Sequence, residues 1–208
     1  MKKWLYILPA VIIFLGCRTV DDGLTTIDLG SFKITIPKGW KYIKRQGEDS
    51  FVGDIQINKT SFLTFDCSKH GYANSLLMTE NEYLSKREWY NGQVGWLGTD
   101  SKIILHQPNS SDKIKFPKAD FIADIINEQK TSSIPIEIPA VIKSHYIQLD
   151  SITNYTVKTI WPKITGKGMT GIYIHSRTSS FNFQMNGKNL AKKEEMLALQ
   201  AFKTIEFK

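Results

Sequence analysis

Cysteine is scarce in this sequence, with only Cys17 and Cys67 among 208 residues. Two cysteines exclude a scaffold held by several disulfides, and they exclude any zinc or iron–sulfur site that needs four thiolate ligands. Long apolar runs are missing as well, since the run from Trp4 to Leu15 has 12 residues. A helix of that length spans about 18 Å, which is too short for a hydrocarbon core of roughly 30 Å.

Three catalytic signatures are also absent: G-x-S-x-G, H-E-x-x-H and G-x-x-x-x-G-K-[ST]. They mark serine hydrolases, zinc proteases and phosphate-binding loops. The carboxylates are scattered, and their spacing selects no acid–base pair. We therefore assign no catalytic, cofactor-binding or metal-binding residue, and we favour a protein that is not an enzyme.

The composition is that of a folded chain, with 41% apolar and 23% charged residues. This length favours one domain, because the prior is roughly 150 residues per domain. Lysine and arginine total 27 against 20 acidic residues, so the formal net charge is +7.

The amino terminus carries the strongest signal. Lys2 and Lys3 precede the apolar run, and a basic flank before a short apolar segment is typical of a secretory signal peptide. The run ends in Leu15-Gly16-Cys17, which resembles the lipobox of bacterial lipoproteins. That resemblance implies cleavage before the cysteine and acylation of its sulfur and its amino group.

The same resemblance divides the chain. We expect a signal peptide over residues 1–16, a lipidated tether over 17–26 and a single domain over 27–208. Arg18 follows the cysteine where Asp often marks retention at the inner membrane, so the resemblance implies an outer-membrane destination in a host that has one. The bilayer is then one partner of the protein, bound through acylated Cys17.

Period-two alternation of apolar residues predicts antiparallel strands along most of the domain. The clearest strand, 31–36, ends at Pro37, because proline cannot continue a ladder of hydrogen bonds. Three strands near the carboxyl end should form an antiparallel meander. The strands of this meander are 141–149, 153–161 and 171–177. The other predicted strands are 51–57, 61–65, 93–97, 101–106, 120–127 and 204–207.

Two helices are predicted. Thr79-Glu80-Asn81-Glu82 is a capping box and begins a helix over about 80–90, whereas 189–202 carries an apolar stripe at helical spacing. Residues 108–118 are predicted to form a loop. Many strands with two helices indicate an α+β fold, in which an antiparallel sheet is covered by helices.

Both ends of the domain resemble the PsbP-like α/β sandwich. The matching segments are Ile36-Pro37-Lys38-Gly39-Trp40 and Phe202-Lys203-Thr204-Ile205-Glu206-Phe207. The family includes extrinsic photosystem subunits and many bacterial secreted proteins. The resemblance implies binding and accessory roles and supplies no catalytic residue, and it implies core positions for Trp40 and Phe202.

Three features could carry chemistry. Gly166–Gly171 fits the pattern G-x-G-x-x-G, but a strand follows it instead of a helix, which favours a hairpin connection over a dinucleotide site. Cys67 and His70 could supply two metal ligands or a nucleophile with its base, and the alternative is a free thiol at a strand end. His145 and His175 could share a sheet face as a metal or ligand site, and the alternative is one hydrogen bond for each.

Basic residues form two clusters with aromatic neighbours, a combination that can bind nucleic acid. A secreted lipoprotein does not meet nucleic acid, so we expect no such partner. Anionic headgroups, an acidic protein or plain solvation of a basic face are the alternatives. The two clusters are Lys41, Lys44 and Arg45 after Trp40, and Lys113, Lys115 and Lys118 around Phe116.

These observations predict a membrane-anchored envelope lipoprotein that acts as a non-enzymatic binding or accessory module with a protein partner in the envelope. Loops 66–76 and 107–119 are the expected recognition surfaces. Two alternatives remain. One is an immunity or inhibitor lipoprotein that neutralises a toxin, and the other is an envelope hydrolase in which Cys67, a histidine and a carboxylate meet only in three dimensions.

Overall fold

Strands dominate the residues that the computed structural model describes, which are 23–90, 101–127 and 130–208. Thirteen strands in three sheets make up 46% of these residues, and four short helices make up 16%. The predicted α+β sandwich, with helices covering one antiparallel sheet, is therefore wrong, and the fold is mostly β. Local alternation predicted the strands, but it carries no information on which elements cover them.

The bounds of the elements follow the chain. The strands are β1 Leu24–Asp28, β2 Phe32–Pro37, β3 Lys41–Lys44, β4 Phe51–Gln56, β5 Phe62–Ser68, β6 Lys102–His106, β7 Phe121–Asn127, β8 Lys130–Ile136, β9 His145–Ile152, β10 Tyr155–Pro162, β11 Met169–Ser176, β12 Asn182–Lys188 and β13 Glu206–Phe207. The helices are α1 Glu80–Ser85, α2 Ser110–Lys115, α3 Ala140–Lys143 and α4 Lys192–Phe202.

The largest sheet has seven antiparallel strands in the order β3-β4-β5-β12-β11-β10-β9. The chain leaves it after β5 and returns at the far edge with β9, then steps back strand by strand until β12 lies beside β5. The two smaller sheets are β1-β2-β13 and β6-β7-β8. The second of these belongs to the segment between β5 and β9, together with α1, α2 and α3.

One face of the large sheet is apolar. Alternation along β5 directs Phe65 and Cys67 to this face, and Phe32 and Ile34 of β2 pack against it with no exposed surface. The ring of Phe32 meets those of Phe65 and Phe183 edge-on, at centroid distances of 5.1 and 4.9 Å. Full burial of each such side chain contributes about 1.5–3 kcal/mol, so this cluster is the main core.

The opposite face is polar at its centre. Asp54 is buried there and accepts a hydrogen bond of 2.8 Å from Thr64 Oγ1 on the neighbouring strand. Asn182 is also buried, and its amide donates to the carbonyl oxygen of Ala73 and accepts from the N–H of Ala73, both at 3.1 Å. The chain after β5 is thus held on a polar surface by hydrogen bonds, because buried amides must find partners.

A second core joins the segment between β5 and β9 to the edge of the large sheet. Ile147 of β9, the edge strand of the large sheet, packs against this second core. Its buried members come from α1, from the sheet β6-β7-β8 and from the region of α3. They are Leu84, Trp89, Ala123, Ile125, Ile134, Ile136, Ile138 and Ile142.

Several predicted elements are confirmed. The strands predicted over 31–36, 51–57 and 61–65 correspond to β2, β4 and β5, and the meander corresponds to β9, β10 and β11. The strand over 120–127 is β7. The predicted tether overlaps β1, which begins at Leu24. The predicted signal peptide, Cys17 and the predicted strand over 93–97 lie outside the described residues.

Other predictions are wrong at particular residues. The first helix ends at Ser85, because Arg87 takes a φ of +56° and breaks the helical path. The predicted loop over 108–118 contains α2, whose capping residue Asn109 was missed. The strand predicted from Val141 begins only at His145, after α3.

Candidate functional site

A cleft of about 720 Å³ opens at one end of the large sheet. Its walls are the turn between β1 and β2 at Gly30–Ser31, the loop between β3 and β4, and the residues that end β5. Phe51 and Phe181 supply apolar surface, and Cys67 lies beside them. A volume of this size falls within the range of about 300–1,000 Å³ that small-ligand sites occupy.

The cleft unites residues that the sequence placed in separate motifs. Lys44 and Arg45 come from the first basic cluster, and Cys67 and His70 form the C-x-x-H pair. The cleft therefore includes part of the predicted recognition loop 66–76. The other predicted loop contributes no lining residue, since α2 and its lysines belong to the sheet β6-β7-β8 region instead.

The rim of the cleft carries charges of both signs. Arg45 Nε donates to Oδ2 of the buried Asp54 at 2.6 Å. Lys208 Nζ lies 2.7 Å from Asp28 Oδ2, and this hydrogen bond holds the pKa of Asp28 below its usual value. Arg45 and Lys208 are thus neutralised by carboxylates outside the lining, and the other charged lining residues are Lys44, Lys69, Glu48 and Asp49. Because these four remaining charges balance, the rim suits a ligand or surface of mixed charge better than a polyanion.

The thiol of Cys67 is a poor nucleophile in this cleft. Its side chain is 5% exposed, and burial raises the pKa of the thiol to about 11, with a smaller contribution from the charge of Asp66. The thiol therefore stays protonated at neutral pH, whereas the thiolate is the nucleophile. Within the described part of the chain no hydrogen bond joins Cys67 to His70, whose ring lies 6.0 Å from that of Tyr72.

His106, Asp124 and Ser133 line up across the sheet β6-β7-β8. Ser133 Oγ donates to Asp124 Oδ1 at 2.6 Å, and His106 Nε2 lies 3.2 Å from Asp124 Oδ2. In a hydrolase triad the imidazole stands between hydroxyl and carboxylate, but here the carboxylate stands in the middle. His106 Nδ1 faces the carbonyl oxygen of Gln107 at 3.0 Å, so both ring nitrogens are engaged and neither can accept the proton of Ser133.

The two histidines that the sequence left open as a shared site, His145 and His175, are separated. His145 and His175 pair with opposite ends of β10. His145 is buried, with Nδ1 2.7 Å from the carbonyl oxygen of Val141 and Nε2 accepting from the N–H of Met169 at 2.9 Å. Across the described ranges no group of three His, Cys, Asp or Glu residues could hold a metal ion. The histidine pair is therefore not a metal site.

Gly166–Gly171 joins β10 to β11, as the sequence predicted. Gly166 and Gly168 take positive φ values of 79° and 133°, which suit a loop. Gly171 lies within β11, and no helix follows it. The segment is therefore the hairpin connection that the sequence favoured, and it offers no helix N-terminus to a pyrophosphate.

A pocket that sequence reasoning missed lies on the polar face, between α1 and the strands β9, β10 and β11. It has a volume of about 480 Å³, and Lys158 forms its inner wall. Lys158 Nζ lies 2.8 Å from Glu82 Oε2 and 3.1 Å from the carbonyl oxygen of Leu77. The capping box was the one signal near this pocket, but it predicted a helix start and not an ion pair.

Comparisons with known protein families and with curated proteins find no match. Among the helices of the described residues, none combines the length and apolar character needed to cross a bilayer. The geometry and chemistry of the cleft are therefore the basis for a function.

Proposed function

We propose that this chain is a lipid-anchored lipoprotein of the cell envelope that acts as a non-enzymatic binding module, with the 720 Å³ cleft as its recognition site. Acylated Cys17 anchors it in the bilayer, with the outer membrane as its destination. Its partner is an envelope protein whose contacting surface carries charges of both signs.

The position of the cleft relative to the predicted tether carries this proposal. Gly23 precedes β1, and its carbonyl oxygen accepts a hydrogen bond from the N–H of Lys38. Gly30 and Ser31, which line the cleft, lie at the other end of β1, about 17 Å away for a strand of five residues. A tether from Cys17 thus joins the domain at the end away from the cleft, which faces the aqueous side.

The walls of the cleft support recognition over catalysis. Phe51 and Phe181 supply apolar contact area, and the rim charges supply orientation. Cys67 stays a neutral thiol, which favours neither nucleophilic attack nor metal binding. We therefore do not propose the hydrolase that the sequence left open.

Site-specific photo-crosslinking in intact cells tests the recognition site. A benzophenone amino acid at Lys69, on the cleft rim, should give one discrete adduct with an envelope protein. The matched control places the same group at Lys167, an exposed residue in the loop at the other end of the strands. Identical adducts from both positions, or none from position 69, would contradict the proposal.

Mass spectrometry of the native amino terminus tests the anchor separately. We expect a terminal acylated Cys17 and release of the C17S variant from the membrane fraction. An intact Met1 with a free thiol at position 17 would refute the anchor, and the crosslinking result would still report on the cleft.

A further inference from the structure

Strand β9 leaves the large sheet with an open edge. It is the last strand in the sheet order and pairs only with β10 in the part of the chain that the structure describes. Residues 148–152 are all exposed. Three large apolar side chains of this strand face solvent: Tyr146 is 50% exposed, Leu149 60% and Ile152 59%. Such an edge offers unpaired N–H and C=O groups to another strand.

The two edges of the sheet differ in their protection. β3 has four residues and both begins and ends in lysine, features that discourage pairing with another chain. β9 has eight residues and contains neither lysine nor proline. The β9 edge can therefore pair with a strand of another chain, whereas the features of the β3 edge oppose such pairing.

The sequence of β9 is self-complementary. In antiparallel pairing about a two-fold axis at Leu149, this residue opposes Leu149 of the second copy. Gln148 then opposes Asp150, and Tyr146 opposes Ile152, each pair occurring twice. Facing aromatic and β-branched side chains, such as Tyr146 and Ile152 in this register, stabilise the pairing of antiparallel strands.

Neighbouring registers are less favourable. An axis at Asp150 would place the two Asp150 carboxylates directly opposite each other, and like charges there are destabilising. An axis at Gln148 would place Tyr146 against Asp150. Only the axis at Leu149 keeps Asp150 opposite an amide and matches the open residues on both strands.

We propose that β9 binds β9 of a second copy of this chain, antiparallel about a two-fold axis at Leu149, so that the seven strands of each copy form one continuous sheet. A self-complementary patch is what a two-fold dimer requires. The second copy also borders an apolar groove of about 440 Å³ between β9 and α4, since its Tyr146 lies beside Ile152 at the groove's open side. This inference is independent of the cleft.

A cysteine at the axis tests the register. Facing residues in antiparallel strands have Cα atoms about 4.5–5.5 Å apart, within the range for a disulfide. The full chain carrying L149C should therefore form a disulfide-linked dimer in membranes under mild oxidation, seen on a non-reducing gel. The control is M196C, which places a thiol on the exposed surface of α4 and should stay monomeric.

A charge at the axis tests the contact itself. L149K places two ammonium groups opposite each other and should weaken dimerisation about tenfold or more in light scattering of the detergent-extracted chain. L24K, at another exposed leucine, should leave it unchanged. Circular dichroism confirms that each variant is folded. A folded L149C variant that gives no dimer, or that links to a different protein, would overturn the proposal.

Discussion

Lys158 on β10 and Glu82 on α1 form an ion pair that fixes α1 on the large sheet. Nζ lies 2.8 Å from Oε2, and the lysine side chain is only 7% exposed. Glu82 Oε2 also accepts from the N–H of Thr79 at 2.6 Å, which closes the capping box. One carboxylate therefore caps the helix and compensates a buried charge.

The ion pair predicts an asymmetry between its two partners. E82A leaves the ammonium of Lys158 buried without a counter-charge, which costs about 3–5 kcal/mol. K158M removes the buried charge and leaves Glu82, whose carboxylate water can reach, so we expect a loss of about 1–2 kcal/mol. Urea unfolding of both variants measures the difference. Equal losses of unfolding free energy in the two variants would show that the buried ammonium of Lys158 does not need Glu82 as its counter-charge.

Thr79→Ala is the matched control for this pair, because it removes the cap and leaves the ion pair in place. We expect it to lower the free energy of unfolding by about 1 kcal/mol. A loss as large as that of E82A would assign the effect to the helix cap instead.

His106 predicts a pH dependence of stability. Its contact with the carbonyl oxygen of Gln107, and then its contacts with Asp124, raise the pKa of His106 above its usual value. The stabilisation is therefore complete below the unfolded pKa and is lost as pH rises through the raised folded pKa. H106Q should flatten this decline in unfolding experiments from ~pH 6 to ~pH 9. H175Q, at an exposed histidine outside this sheet, should retain the decline of the parent chain.

Glu82 predicts the opposite slope on the acid side. Its hydrogen bond and charge contact with Lys158 outweigh burial and lower the pKa of Glu82. Its contribution is present above the usual carboxyl value and is lost as pH falls through the lowered value. Acid unfolding of K158M should be less steep than that of the parent chain, and identical acid curves would contradict the assignment.

Local patterns predicted the elements that local physics determines. Alternation predicted the strand over 31–36, and the capping box over Thr79–Glu82 forms as expected. β12 was missed although Phe183 and Met185 alternate, because Asn182, Gln184 and Asn186 between and around them are typical of a loop. Alternation directs these three polar side chains to the polar side of the sheet, and a local sequence pattern does not distinguish that side from solvent.

The sites depended on contacts between distant segments. Lys44 and Cys67 were each singled out from the sequence, but their meeting in one cleft requires the pairing of β3, β4 and β5. Lys158 and Glu82 are 76 residues apart, and no spacing rule connects them. The same limit explains the fold class, because strand patterns do not reveal that β2 of a small sheet packs on the large one.

Gly168 predicts a position where alanine is not tolerated. Its φ is +133°, and a Cβ there would lie 2.5 Å from Nε2 of the buried His145. G168A should displace this ring from the N–H of Met169 and cost about 2 kcal/mol or more. G166A meets no neighbouring atom and should cost only about 1 kcal/mol of backbone strain. Thermal unfolding compares the two, and equal losses would exclude a role for His145.

Cys67 predicts a thiol that reacts only when the fold opens. Its buried side chain and its pKa of about 11 leave little thiolate at neutral pH. Labelling by a thiol reagent should be slow in the folded C17S variant and should accelerate in urea in step with unfolding. E48C, which places a thiol at an exposed position on the cleft wall, provides a positive control for access to the cleft. Rapid labelling of Cys67 in the native protein would mean that the thiol is activated, and it would restore the hydrolase hypothesis.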